Sequence, residues 1–214
     1  MGKMFVIIPV KPFEQSKTRL SPVLSVGQRI ALSRQMLLRT IRLALQVGKV
    51  VTISQSRAVR QVAKQAGAWA LVDADVGLNA AIRQASEWVS ARGEQAALVL
   101  PADLPLLTLS DLIEIATLGQ QGPAAVIAPC QRSDGTNALL LRPPNLIKFA
   151  FGPDSFEQHR RAILAFGLEP IIYHSPTIAL DLDYPDDLEK VLPRQQNLKL
   201  SPELDQLNLW YPLS

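Results

Sequence analysis

Three apolar runs end in charged residues of types that could bind phosphate and a divalent ion. Met4–Val10 leads into Lys11-Pro-Phe-Glu-Gln-Ser-Lys17-Thr-Arg19-Leu20, with three cations in nine residues. Phosphate recognition needs such charge in a polar loop, and arginine can bind it through two donors at once. The loop has neither the Gly-x4-Gly-Lys-Ser/Thr pattern nor a GxGxxG pattern; a solvated basic turn is its other reading. Ala96–Leu100 leads into Pro101-Ala-Asp103-Leu-Pro105. An aspartate between two prolines is held by stiff backbone. Such a carboxylate suits Mg²⁺, which takes one or two carboxylates with phosphate oxygens and water; an Asx turn or a helix cap would use the same residue. Thr177–Leu180 leads into Asp181-Leu-Asp183-Tyr184-Pro185-Asp186-Asp187. Pro185 with Asp186 and Asp187 suits a helix start, so those two acids read as structural. Asp181 and Asp183 share one side of an extended backbone. Asp103 and Asp183 could then meet across a sheet and hold one divalent ion.

Three turns add polar groups. Gly77-Leu78-Asn79 opens a helix, where the glycine and amide could approach a nucleobase or ribose and where Asn79 is equally an N-cap. Gly135-Thr136-Asn137 precedes an apolar run, and Phe151-Gly152-Pro153-Asp154-Ser155-Phe156 leads into a helix. Backbone N–H groups and a hydroxyl at a helix start form an anion site. His159, on that helix, reads as a surface or partly packed side chain, and Cys130 has no nearby histidine to make it a nucleophile.

Apolar periodicity predicts the elements that carry these loops. Continuous apolar runs predict buried strands at Met4–Val10, Lys49–Ser54, Trp69–Asp73, Gln95–Leu100, Ala124–Ala128 and Thr136–Leu141. Shorter late strands are predicted at Pro170–Tyr173 and Thr177–Leu180. Helices are predicted at Ser25–Val47, Arg57–Ala66, Asn79–Ala91, Leu109–Leu118, Phe156–Phe166 and Asp186–Leu192. In the first, Ser25 with Gln28 fits a capping box. Arg29, Arg34, Arg39 and Arg42 fall largely off its apolar stripe, and Gly48 can close it. The alternation predicts an α/β domain with a mostly parallel sheet and helices on both faces. After residue 124 the strands crowd together, which predicts at least one antiparallel strand. Ligands in such sheets sit outside the carboxyl ends of the strands, where the charged loops lie.

The chain has 214 residues, 48% hydrophobic and 19% charged, which bounds it to one folded domain and excludes a disordered class. A net charge of +3 is too small to demand nucleic acid. One cysteine excludes an intramolecular disulfide framework and a cysteine-based zinc site. Two histidines give little support to a His-dependent triad. The apolar run at Met4–Val10 is too short to span a bilayer, so a cytoplasmic protein is expected. Residues 1–192 read as the domain and 193–214 as a tail, whose leucines, Trp210 and Tyr211 would pack on that domain or on a second copy in a homodimer.

Together the strings IPVKPFEQSKTRL (Ile8–Leu20), LPADLPL (Leu100–Leu106), GTNALLL (Gly135–Leu141), FGPDSF-x2-H (Phe151–His159) and DLDYPDDL (Asp181–Leu188) resemble the 2-phospho-L-lactate guanylyltransferase family of coenzyme F-420 biosynthesis. The resemblance runs from Phe5 to Leu192. It implies a single-domain, Rossmann-like nucleotidyltransferase fold of GT-A type. It further implies Mg²⁺-dependent transfer of GMP from GTP to the phosphate of 2-phospho-L-lactate, phosphoenolpyruvate or 3-phosphoglycerate, with release of pyrophosphate. By position it implies metal ligands at Asp103 and Asp183, acceptor contacts at Thr136, Gly152 and Ser155, and GTP contacts at Lys11, Lys17, Arg19, Leu78 and Asn79. Lys17, Arg19 and Asp103 would carry the catalysis. Tyr184, Cys130 and Asp134 depart from the family pattern, which commonly has threonine, aspartate and glycine at those positions. Two other classes fit the residues taken alone: a nucleotidyltransferase or GT-A glycosyltransferase with another acceptor, and a non-enzymatic nucleotide-binding protein.

Overall fold

A computed structural model describes residues 4–74 and 77–195; the 193–214 tail lies outside the described residues from position 196 on. The strands are β1 (Met4–Pro9), β2 (Lys49–Ser54), β3 (Trp69–Val72), β4 (Ala96–Val99), β5 (Ala124–Pro129), β6 (Thr136–Arg142) and β7 (Ile171–Ile172). The helices are α1 (Val26–Ala44), α2 (Arg57–Gln65), α3 (Leu78–Ser90), α4 (Leu109–Leu118), α5 (Ser155–Ala165) and α6 (Pro185–Gln195). One sheet has the order β3-β2-β1-β4-β6-β5-β7. Neighbours run parallel except at β6, which is antiparallel to both β4 and β5. The mixed, mostly parallel sheet expected from the sequence is therefore present, with its reversal at Thr136–Arg142.

Side-chain alternation along β1 shows why the runs read as continuous. Met4, Val6 and Ile8 pack into one core with Leu37 and Ile41 of α1, Val59 of α2 and Leu112 of α4. Phe5 and Ile7 pack into a second core with Ala81, Ile82 and Val89 of α3. A third, around Leu139, Leu141 and Ile163, seats α5 on that second face. Both faces of β1 are covered, so its inner residues have apolar partners on either side. Gly48 does not close α1; it lies where a Cβ would come within 2.7 Å of the Met4 carbonyl, at the entry to β2. The capping box forms as expected: the Gln28 N–H donates to Ser25 Oγ, and the Ser25 N–H donates to Gln28 Oε1.

Further expectations about the elements fail. Arg29 is buried rather than off the packed face of α1. Thr177–Leu180 is not a strand. There Ala179 N–H donates to Ser175 O in a turn, while Asn137 Nδ2 donates to the carbonyls of Ile178 and Ala179. Ile178 and Leu180 are buried, which gives the run its strand-like apolarity, but its backbone bonds go to the Asn137 amide, to Ser175 and to Gln131 N–H instead of a ladder.

A small core fastens the loops at the carboxyl edge. Leu20 from the loop after β1, Leu32 and Met36 of α1, Leu106 after β4, Leu180 and Leu182, and Val191 of α6 pack together.

Candidate active site

Lys17 has left-handed backbone (φ 55°) at the head of a 3-10 turn, Thr18–Leu20. A residue with a Cβ pays roughly 1–2 kcal/mol for that conformation. The bond from Leu20 N–H to Lys17 O and the buried Leu20 side chain hold it there. The result aims a nearly buried ammonium between two carboxylates. Lys17 Nζ lies 2.7 Å from Asp103 Oδ2 and 3.0 Å from Asp183 Oδ1. Arg19 Nη1 reaches Asp183 Oδ2 at 3.0 Å, with its side chain still 59% exposed. Burial disfavours the charge on Lys17, but the two carboxylates outweigh it and raise its pKa above the ordinary lysine value.

The carboxylates meet because their loops are tied. Leu182 N–H donates to Asp103 O at 3.0 Å. Asp187, in the first turn of α6, accepts from the N–H groups of Asp183 and Tyr184, the structural role expected of it. Arg39 of α1 donates to Leu107 O behind the Asp103 loop. Asp181 stays close: burial first, then the charges of Asp103 and Asp183, push its pKa up. Asp103 and Asp183 are each about one-third exposed; both oxygens of Asp183 are engaged, by Lys17 and Arg19, whereas Asp103 is paired through Oδ2. Among the described residues no group of three or more His, Cys, Asp or Glu side chains is arranged to hold a metal. Two carboxylates already share one cation, which is the donor set that Mg²⁺ takes together with phosphate oxygens and water.

Thr136 turns toward α5 through a β-bulge. Leu139 and Leu141 face α5, whereas Ala138 and Leu140 face the core under α1 and α4. Strict alternation would send Thr136 with Ala138. Pairing passes from Ala128↔Ala138 to Pro129↔Thr136, leaving Asn137 as an extra residue. Thr136 thus turns toward α5, where its Oγ1 lies 3.0 Å from His159 Nδ1. Asn137 turns the other way, to the Ile178 and Ala179 carbonyls.

Gly152 (φ 133°) and Asp154 (φ 55°) shape the turn into α5, whose first residue is the buried Ser155. Phe156 N–H donates to Asp134 O, joining this turn to the loop before β6. Asn79 is not an N-cap, since α3 begins one residue earlier after Gly77. Its amide instead clasps Phe151, donating from Nδ2 to Phe151 O (2.9 Å) and accepting from Phe151 N–H at Oδ1 (2.7 Å). Leu78 is exposed at the same helix start. Lys11 is exposed and joins no ion pair among the described residues. His159 is fully buried, beyond the surface or partly packed position expected of it.

Two of the departures from the family pattern pair with each other. Cys130 Sγ donates to Asp134 Oδ1 and accepts from Gly135 N–H, both at 3.1 Å. Burial and Asp134 push the thiol pKa up, which suits an inert cysteine. The third, Tyr184, lies between two guanidinium groups, Arg19 at 4.9 Å and Arg132 at 4.6 Å from its ring centre. Arg132 carried no signal in the sequence beyond its charge.

Residues 4–203 match the family described as "Guanylyl transferase CofC like". The chain belongs to this family. It is 38% identical to a phosphoenolpyruvate guanylyltransferase of Rubrobacter xylanophilus over 190 residues, 88% of this chain and 93% of that one. It is 32% identical to a 3-phospho-D-glycerate guanylyltransferase of Colwellia psychrerythraea over 206 residues, 95% of each. A solved protein from Desulfovibrio desulfuricans G20 superimposes with a TM-score of 0.78 at 15% identity, covering 98% of this chain and 99% of that one. A 4-diphosphocytidyl-2C-methyl-D-erythritol synthase gives 0.63 at 15% identity, over 89% and 97%. These two likenesses carry the fold. The family carries the activity: the protein is a guanylyltransferase. Among the described residues no helix is long and apolar enough to cross a membrane.

Proposed function

We propose that the protein transfers GMP from GTP to the phosphate of a small phosphorylated three-carbon acid, releasing pyrophosphate. The observation that carries this is the convergence of Asp103 and Asp183 on one cation, Lys17 Nζ, beside a second, exposed cation on Arg19. Both substrates are anions, so their approach needs fixed positive charge. Asp103 and Asp183 would hold Mg²⁺, which when bound screens the α-phosphate and the acceptor oxygens. Lys17 and Arg19 would offset charge on the departing pyrophosphate, with Lys11 at the outer end of the same loop. The nucleophile is a phosphate oxygen, already largely deprotonated near neutral pH because its second pKa is about 6. No general base is required, and neither Cys130 nor His159 is poised as one. Thr136, Ser155 and the turn at Gly152 would hold the acceptor's anionic groups. Asn79 would act by clasping Phe151 in that turn.

The relatives named above divide between phosphoenolpyruvate and 3-phospho-D-glycerate, so the acceptor is the quantity to measure. Purified protein with GTP, Mg²⁺ and each of phosphoenolpyruvate, 3-phosphoglycerate and 2-phospho-L-lactate is expected to release pyrophosphate with at least one of them. Silence with all three would overturn the proposal. Turnover with CTP in place of GTP would redirect it to another nucleotidyl donor.

A further inference from the structure

His159 has no exposed surface, and both of its ring nitrogens are engaged. The Ala150 N–H points at Nε2 from 3.0 Å. A backbone N–H can only donate, so Nε2 must offer its lone pair. The proton of the neutral ring then resides on Nδ1, which lies 3.0 Å from Thr136 Oγ1. With Nδ1–H donating, that hydroxyl oxygen is the acceptor, and its own hydrogen points elsewhere. No described residue accepts it. The Phe151 ring lies edge-on to the imidazole, with centroids 4.8 Å apart, and shields it from water. Burial pushes the ring pKa down to about 4, in keeping with a neutral form.

We infer that His159 is a positioning residue that makes Thr136 an obligate hydrogen-bond donor to an anionic oxygen of the acceptor. The same ring latches the Ala150 end of the turn that carries Gly152 and Ser155. A hydroxyl left unconstrained could present either a lone pair or a proton, and a lone pair would repel a carboxylate or phosphate. The tautomer removes that choice. The ligand class is therefore an oxyanion that lacks a proton of its own to donate. This inference rests on the assignment of Thr136 to the acceptor in the proposed reaction.

Two measurements on the full chain test it separately from that reaction. In a double-mutant cycle, Gln at position 159 can accept from Ala150 N–H at Oε1, while its amide nitrogen, bonded to Cδ rather than Cγ, does not take the place of Nδ1 beside Thr136. His159→Gln and Thr136→Val are each expected to raise the acceptor KM roughly 10-fold while leaving the GTP KM unchanged. Combined, they should cost little more than either alone, and Thr136→Ser should keep most of the activity. Additive losses, or losses shared equally by GTP, would overturn the inference. The second measurement is the imidazole ¹⁵N–¹H spectrum of the unliganded protein. It is expected to show a neutral ring protonated at Nδ1 from pH 8 to about pH 5, where an ordinary histidine has become a cation. A ring protonated at Nε2, or a cation at about pH 6, would overturn it even if none of the three acceptors is turned over.

Discussion

At the residue scale, the arrangement of Lys17, Asp103 and Asp183 separates catalysis from stability. The acids are partly solvated, so their pairing contributes modestly to folding. Asp103→Asn is expected to lower GMP transfer by about 100-fold with little change in melting temperature. Lys17→Met should fall in the same range. Arg19→Ala, whose guanidinium is mostly in water, should lose only about 10-fold. Steady-state kinetics with thermal melts check all three; an Asp103→Asn enzyme of normal rate would remove that carboxylate from the chemistry. His159 makes the opposite kind of statement. Its pKa falls from an ordinary 6.5 to about 4 on folding, through burial. Between those values the unfolded chain binds a proton that the folded chain refuses. Stability is therefore complete above the upper value and declines as pH falls through the window, by up to about 1.4 kcal/mol per pH unit. Urea unfolding at pH 7.5 and 5 should show a smaller difference in His159→Gln than in the parent; equal differences would argue against a buried neutral ring.

At the element scale, Asp111 replaces a missing strand. It accepts from Thr108 N–H at the N-terminus of α4 and from the hydroxyls of Tyr173, Ser175 and Thr177. Burial works against its charge, and these donors more than compensate, so its pKa is lowered. The network pins the segment that runs on to Asp181 and Asp183. Asp111→Ala should cost roughly 3 kcal/mol, seen as a melting point lower by about 6–12 °C. A shift under about 2 °C would mean that water replaces the carboxylate freely. Much of this level was legible in advance. The helix boundaries fell within a few residues at α1, α3, α4 and α5, because capping residues and apolar periodicity are local signals. Asp103, Lys17 and Asp183 were legible because each follows an apolar run at the edge where ligands bind. What stayed hidden depended on distant partners. Nothing near Ile178 and Ala179 says that Asn137 will donate to their carbonyls, and nothing near His159 says that Ala150 and Thr136 will enclose it.

At the scale of the whole molecule, the chain builds β1, β2 and β3 outward in one direction, then returns to place β4 on the other side of β1. The loops after β1 and β4 leave from that reversal, and they carry Lys17 and Asp103. Such a switch point opens a crevice in the sheet edge. The small leucine core beneath it joins the loop after β1, α1, the loop after β4, the Leu180–Leu182 stretch and α6. Leu20→Ala should therefore cost roughly 2–5 kcal/mol and also reduce turnover per folded molecule, because misplacing a site by an ångström costs about 100-fold. Val59→Ala, in the core under α2, should lower stability while leaving turnover intact. Equal turnover in the two folded variants would show that the leucine core does not govern the site.

The extra residue at Asn137 has a consequence for insertions and deletions. A strand with strict alternation transmits any change of length to every side chain beyond it. Here one surplus residue sits between the paired stretch Ala138–Arg142 and the terminal Thr136, so the site is half a period out of phase with the core that supports it. Removing Asn137 should restore strict alternation. The core pairs would persist, and Thr136, then the direct neighbour of Ala138, would keep its hydroxyl on the α5 side. Such a deletion should yield a chain that still unfolds cooperatively, although weakened by the loss of the Asn137 amide, and whose acceptor and GTP KM values both stay close to those of the parent; a large rise in the acceptor KM alone would mean that the bulge itself aims the hydroxyl. A loss of cooperative unfolding would instead mean that the phase offset is part of the fold itself.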